Sequence, residues 1–210
     1  MKKALIICGG EFSPISEDLK YDYVIACDSG ANYAVRMGII PDLIVGDFDS
    51  YEGDIYKDFP CVTIETHPVM KDDTDAMLAI KKALSMGYEH IILSCALGMR
   101  LDHTLSNIES LHYISAHGCI GEIVSENEHL RTLNSIEAQL SLHKREGCSL
   151  SLYALSDYVK GLSIEGAKYP LDKATITNSF PLCHGNSFVE DTVTISLEEG
   201  FLLIVESLKN

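Results

Sequence analysis

The hydrophobic periodicity of this chain changes once, near residue 127, and that change constrains the fold more than any other feature. Before it, short unbroken apolar runs at residues 4–8, 23–27, 43–45, 61–65, 91–94 and 122–125 read as strands. Between them, residues 31–37, 74–86 and 101–116 carry apolar side chains at helical spacing. Strands that are apolar throughout are buried on both faces, which requires a mostly parallel sheet covered by helices. The expected first domain is therefore α/β, a doubly wound, Rossmann-like sheet. After residue 127 the runs are short, alternate in polarity and are broken by turn residues, as in ATITN at 174–178 and DTVTISLEEG at 191–200. No long amphipathic stretch remains. That pattern predicts a small all-β domain, a sandwich or barrel. The expected domains are residues 1–128 and 129–210.

Composition excludes several classes of function. The 210 residues carry a formal charge of −15, whereas a nucleic-acid-binding domain presents a basic face. No window approaches the ~20 apolar residues of a membrane span. The start, MKKALIICGG, is too short in its apolar part for a secretory signal and reads as a first strand, so a cytoplasmic location is expected. The seven cysteines include no C-x-x-C pair, and several lie inside apolar runs. They read as free buried thiols rather than a disulfide framework or zinc site. The eight histidines show no H-E-x-x-H spacing.

Ligands of doubly wound sheets sit beyond the carboxyl ends of the strands. Here the residues after five successive strands are unusual: Gly9–Gly10; Asp28–Ser29–Gly30 with Asn32 nearby; Gly46 through Ser50, GDFDS; the run KDDTD at 71–75; and GMRLDH at 98–103. Asp72 and Asp73 are expected to cap the following helix, which Gly87 closes. Asp47, Asp49, Asp72, Asp73 and Asp75 would meet on one edge, where their mutual repulsion calls for a cation. Mg²⁺ prefers hard oxygens and binds through one or two carboxylates plus substrate phosphates. Neither a G-x-x-x-x-G-K-[ST] loop nor a G-x-G-x-x-G loop is present, so a nucleotide would be held by a different loop set. Arg100 either clamps a phosphate or pairs with Asp102. Lys71 is a basic residue among the acidic loops, and His103 a helix-start histidine that could act as a base.

Taken in order, CDSGAN at 27–32, PDLIVGDFDS at 41–50, KDDTDAMLAI at 71–80 and GMRLDHTLSN at 98–107 resemble the motifs of the thiamine pyrophosphokinases. More loosely, AKYPLDKATIT at 167–177, GNSF at 185–188 and the final FLLIV strand resemble that family's thiamine-binding β domain. The resemblance implies transfer of a pyrophosphoryl group from ATP to the hydroxyl of thiamine, with Mg²⁺, by a homodimer whose sites are shared between subunits. It implies that residues 1–128 bind ATP and metal and that 129–210 bind thiamine. Carried over by motif, Asp47, Asp49, Asp72, Asp75 and Arg100 are the catalytic set, and Asp47, Asp49 and Asp75 the metal ligands. Asp28, Ser29, Asn32, Ser50, Thr74, Arg100 and Asp102 would contact ATP; Asn186, Ser187 and Phe188 would contact thiamine, with Phe188, or in second place Phe180 or Tyr169, stacking on the pyrimidine. The chain departs from the family pattern in having Ser29 and Met99 where glycine is usual, and Gly185 where a serine precedes the asparagine.

Two other readings compete. LIVGDFDSY resembles the D-x-D motif of haloacid dehalogenase-type phosphatases, although it lies on the third strand rather than the first. A non-catalytic nucleotide- or thiamine-binding protein would keep the fold and lose turnover.

Overall fold

The computed structural model describes residues 1–48, 50–67 and 72–208; Asp49 and Lys71 lie outside them. Contacts gather into two units, residues 1–126 and 127–210.

The first unit contains β1 (Lys3–Ile7), β2 (Tyr23–Cys27), α1 (Gly30–Met37), β3 (Leu43–Gly46), α2 (Ile55–Asp58) and β4 (Thr63–Thr66), followed by α3 (Asp75–Ser85), β5 (His90–Ser94), α4 (Leu101–Ala116) and β6 (Ile120–Val124). Its strands lie in the order β4-β3-β2-β1-β5-β6, and every pair is parallel. Strand order therefore reverses between β1 and β5, the switch point at whose carboxyl edge ligands of such sheets bind. Side chains alternate between faces along a strand. Leu5, Ile7, Val24 and Ile92 form an apolar cluster with Ala34 of α1. The opposite face is covered by α4: a Cβ on Gly121 would touch Leu111 and Ile114, so this glycine lets the helix close onto β6.

Three local features differ from the sequence expectation. The N-cap of α3 is Thr74, whose hydroxyl accepts the Met77 N–H at 3.2 Å. Asp72 and Asp73 lie too far upstream to reach that donor, and Asp73 instead accepts both of its hydrogen bonds from Lys81. The short α2 carries no helical periodicity in its four residues and is closed by backbone bonds from Asp58 to Asp54 and from Phe59 to Ile55. The fourth strand starts at Thr63 rather than residue 61, because the Val62 N–H turns back to the Phe59 carbonyl.

The second unit contains β7 (Glu128–Asn134), β8 (Gln139–His143), β9 (Cys148–Ala154), β10 (Tyr158–Glu165), β11 (Leu171–Thr177), β12 (Cys183–Ser187), β13 (Thr192–Ser196) and β14 (Phe201–Leu208). All pairings within it are antiparallel, in the orders β12-β9-β14-β7 and β11-β10-β13-β8. Leu150, Leu152, Leu202 and Ile204 from one set share a core with Val159, Leu162, Val193 and Ile195 from the other. Two separate sheets enclosing one core make a sandwich, not a closed barrel.

Candidate functional site

The parallel register puts the ends of β1, β2, β3, β4 and β5 on one edge, and three glycines let the loops there approach closely. A Cβ on Gly30 would fall on the Ile7 carbonyl oxygen, so α1 begins in contact with β1. A Cβ on Gly9 would meet the Ser29 hydroxyl. Gly10 donates to the Cys95 carbonyl at 2.7 Å, and a Cβ there would lie 2.6 Å from the Cys95 and Leu97 carbonyl oxygens. The loops after β1, β2 and β5 are thus stacked backbone against backbone at the point where strand order reverses.

The acidic residues sit on the other side of β1. Asp28 adopts a left-handed φ of 45° and donates its N–H to the Val45 carbonyl at 2.9 Å. Its Cα would stand 3.0 Å from a Cβ on Gly46, the residue before Asp47. Asp75, the first residue of α3, accepts the Cys27 thiol on its carbonyl at 3.6 Å. Asp28 therefore touches the residue preceding Asp47, and Asp75 touches the residue preceding Asp28. This brings three of the β2, β3 and α3 carboxylate positions to one patch. The hydrogen bond with Cys8, together with burial, pushes the Cys27 thiol well above its usual pKa. It stays a neutral donor and is no nucleophile.

The loop after β3 is fixed from within. Phe48 has a φ of 64° and packs with the cluster of Ala31, Ile44, Ile55 and Phe59. Asn32 of α1 donates its Nδ2 to the Ser50 carbonyl at 3.3 Å and accepts the Glu52 N–H on Oδ1 at 3.1 Å. Tyr51 donates its hydroxyl to Asp58 Oδ2 at 2.8 Å. Asp49 lies outside the described residues.

Beyond β5, Gly98 and Met99 both have positive φ, 76° and 54°, before α4 begins. Arg100 donates Nε and a terminal nitrogen to the two Asp102 carboxylate oxygens, at 3.1 and 2.6 Å. That bond raises the Arg100 pKa and holds the Asp102 carboxyl low. Both side chains are about two-thirds exposed, so the pair remains open to an incoming anion. His103 is exposed, and its backbone N–H bonds to Asp102. A residue the motif reading did not single out, Asn107, is buried and donates Nδ2 to the Ala96 carbonyl at 2.7 Å, tying the loop to α4. Its signal was a polar residue in register with Leu111 and Ile114 on the buried stripe of the helix.

The carboxylates are hard oxygen donors. Among the described residues no three Cys, His, Asp or Glu side chains form a metal-holding group by themselves. Hard oxygen donors suit a cation that takes one or two protein carboxylates and completes its shell from phosphate and water.

In the β unit the amide of Asn186 is buried and bonded at both its oxygen and its nitrogen. Oδ1 accepts the N–H groups of Tyr169 and Ser187 at 3.0 and 2.9 Å, and Nδ2 donates to the Tyr169 carbonyl at 2.9 Å. Ser187 accepts the Lys168 N–H on its carbonyl. Phe188, 9% exposed, belongs to the core, whereas the ring of Tyr169 is 60% exposed. A stacking role for Phe188 therefore competes with its place in the core. Gly185 has a φ of 73°, a conformation in which serine would be strained.

A parallel α/β unit with acidic and glycine-lined loops at its carboxyl edge, in one chain with an antiparallel β unit, is the build of a nucleotide-dependent phosphotransferase. Comparison with known proteins gives the class its family. Residues 19–120 match the family model for the thiamin pyrophosphokinase catalytic domain, and residues 135–202 that for the thiamin pyrophosphokinase vitamin B1 binding domain. The chain is 27% identical over 215 residues to the thiamine pyrophosphokinase of Bacillus subtilis (strain 168), covering 99% of each. A crystal structure of the Bacillus subtilis thiamine pyrophosphokinase superposes with a TM-score of 0.90 over 100% of both chains at 27% identity. That of the Geobacillus thermodenitrificans thiamin pyrophosphokinase gives 0.85 over 99% of this chain and 98% of that one at 26% identity. The chain belongs to the thiamine pyrophosphokinase family, whose members are diphosphotransferases acting from ATP to thiamine.

Proposed function

We propose that this protein transfers the diphosphoryl group of Mg²⁺-bound ATP to the hydroxyl of thiamine, giving thiamine diphosphate and AMP, and that the transfer takes place at the carboxyl edge of the parallel sheet. The observation that carries this reading is the contact chain Asp47–Gly46–Asp28–Cys27–Asp75, which brings the backbone of three acidic residues together where strand ends and a helix start meet.

Asp47 and Asp75 would hold the divalent ion, with Asp49 of the same GDFDS loop as a third ligand. A divalent ion held there would supply charge neutralisation at the phosphate oxygens and polarisation at the β-phosphorus. The thiamine oxygen attacks that phosphorus in line, its O–P bond forming as the bond to AMP breaks. Its proton passes to one of the carboxylates of the set Asp47, Asp49, Asp72 and Asp75. Arg100, oriented by Asp102, stabilises charge on the phosphates. Ser29, at the start of α1, and Ser50 and Thr74 offer hydroxyl groups, and Asp28 completes the nucleotide loop.

The β unit takes thiamine through residues 186–188. Asn186 and Ser187 hold the 168–169 segment by the bonds described above, and Tyr169 supplies the exposed ring that stacks on the pyrimidine. Phe188 supports the segment from the core. The sharing of sites in a homodimer, and a cytoplasmic location, belong to the same proposal. The latter is supported by seven cysteines that are all free.

The test is a pair of isosteric variants, Asp47→Asn and Asp75→Asn. Each lowers AMP formation at least about a hundred-fold, the scale of losing one preorganised electrostatic group. Circular dichroism and melting temperature stay near those of the parent. Near-full turnover in both variants refutes the metal-site assignment.

A further inference from the structure

We propose that Asn32 is a positioning residue for the acidic loop: its side-chain amide clamps the backbone of residues 50 and 52 to α1 and thereby holds Asp47 where the divalent ion binds. The inference rests on the metal-dependent reading given above.

The motif CDSGAN places Asn32 among candidate nucleotide contacts, but its amide is engaged at both ends within the protein. The donor bond to the carbonyl of Ser50 is 3.3 Å and the acceptor bond from the N–H of Glu52 is 3.1 Å. These partners lie 18 and 20 residues away, on the far side of Asp47 from β3. The clamp is one of three pins on the loop. Phe48 is held in a left-handed conformation by its burial against Ile44, Ile55 and Phe59, and Tyr51 is fastened to Asp58.

Such pinning has a physical reason. Asp28, Asp47 and Asp75 occupy adjoining backbone positions, and carboxylates drawn together on one cation repel each other until it arrives, which would push the Asp47 loop outward. A loop that can yield relieves the repulsion in the free protein and must be drawn back when metal binds, which costs affinity. A loop fixed in advance carries that cost in the folded state. Residues that orient ligands from behind typically change metal affinity by about 10–100-fold when removed. Asn32 is suited to this task because one planar amide offers a donor and an acceptor side by side, matching a carbonyl and an N–H two residues apart.

The test uses the full chain with Asn32→Ala and has three readouts. In metal-free protein, amide hydrogen exchange at Glu52 accelerates about ten-fold or more with the bond lost, while amides of β1 exchange as in the parent. The Mg²⁺ concentration for half-maximal AMP formation rises about ten-fold or more, with kcat restored at saturating Mg²⁺ and KM for thiamine unchanged. Binding of ATP in the presence of a chelator is unchanged. If Asn32→Ala does not fold, Asn32→Asp carries the test. It keeps the acceptor for Glu52, loses the donor to residue 50, and shifts the Mg²⁺ requirement roughly three- to ten-fold, the effect of one hydrogen bond. Faster Glu52 exchange with an unaltered Mg²⁺ requirement overturns the proposal and leaves a purely structural clamp. Weaker binding of metal-free ATP overturns it in favour of direct nucleotide contact. A parent protein whose turnover needs no divalent ion refutes the metal reading itself, and is recognised before any variant is made.

Discussion

Replacing Asn186 with alanine tests what the β unit does with a buried side-chain amide. The side chain is 4% exposed and makes three hydrogen bonds, two of them to the backbone of Tyr169. Each such bond contributes about 1 kcal/mol net, and a buried partner left unsatisfied costs ~1–3 kcal/mol. The ring of Tyr169 is exposed, so water can reach part of its backbone once the amide is gone, which favours the lower end of that range. The expected loss is about 3 kcal/mol, from three bonds at ~1 kcal/mol each. For a protein of this size that corresponds to roughly 6–12 °C in the unfolding of the whole chain, at about 2–4 °C per kcal/mol. Urea unfolding followed by circular dichroism reads the change directly, and KM for thiamine, measured well below the melting temperature, rises because Tyr169 is no longer held. A loss below about 0.5 kcal/mol, the range of an ordinary surface substitution, refutes the reasoning. So does a destabilised variant whose KM for thiamine is unmoved, since the bonds would then have no bearing on the stacking ring.

Two further predictions concern backbone strain and titration. Met99 is 77% exposed with a φ of 54°, so Met99→Gly removes strain without removing packing. Relief of about 1–2 kcal/mol of left-handed strain, less ~0.5–1 kcal/mol of added chain entropy, leaves a gain of up to about 1.5 kcal/mol in urea unfolding; a loss of stability contradicts it. Burial, followed by the bond to Asp58, pushes the Tyr51 hydroxyl up to about 12. Because the folded value lies above the unfolded value near 10, the contribution of this hydroxyl is fully present below pH 10 and is lost as pH rises toward 12. The melting-temperature advantage of the parent over Tyr51→Phe should shrink across that interval, and an advantage that stays constant argues against the bond.

The alternation of buried strands and helices was readable because a strand covered on both faces cannot hide its composition. Residues 23–27 and 101–116 were expected as the elements that form there, and the other principal elements of the α/β unit were displaced by a few residues at most. The switch to short alternating strands likewise announced the antiparallel unit. What escaped the sequence were features decided by a single tertiary partner. Asp72, Asp73 and Thr74 are all plausible caps in isolation, and only the position of the Met77 N–H selects Thr74. The four residues of α2 are too few for a period to show. At the site, parallel register made a common edge for the Asp and Gly loops a sound expectation, because all strand ends must then point the same way. Which side chains face a ligand was not readable. Asn32 and Asn186 stand in motifs that suggest ligand contact, yet each uses its amide on the backbone of another segment. Phe188 could have been a surface ring or a core residue, and an apolar strand neighbour gives no sign of which.

The account stands most directly on what the protein makes. Incubated with ATP, Mg²⁺ and thiamine and followed by phosphorus NMR and chromatography, it should yield AMP and thiamine diphosphate in equal amounts, with the β- and γ-phosphates of ATP moving together. ADP with thiamine monophosphate, or free phosphate without a thiamine ester, would contradict it.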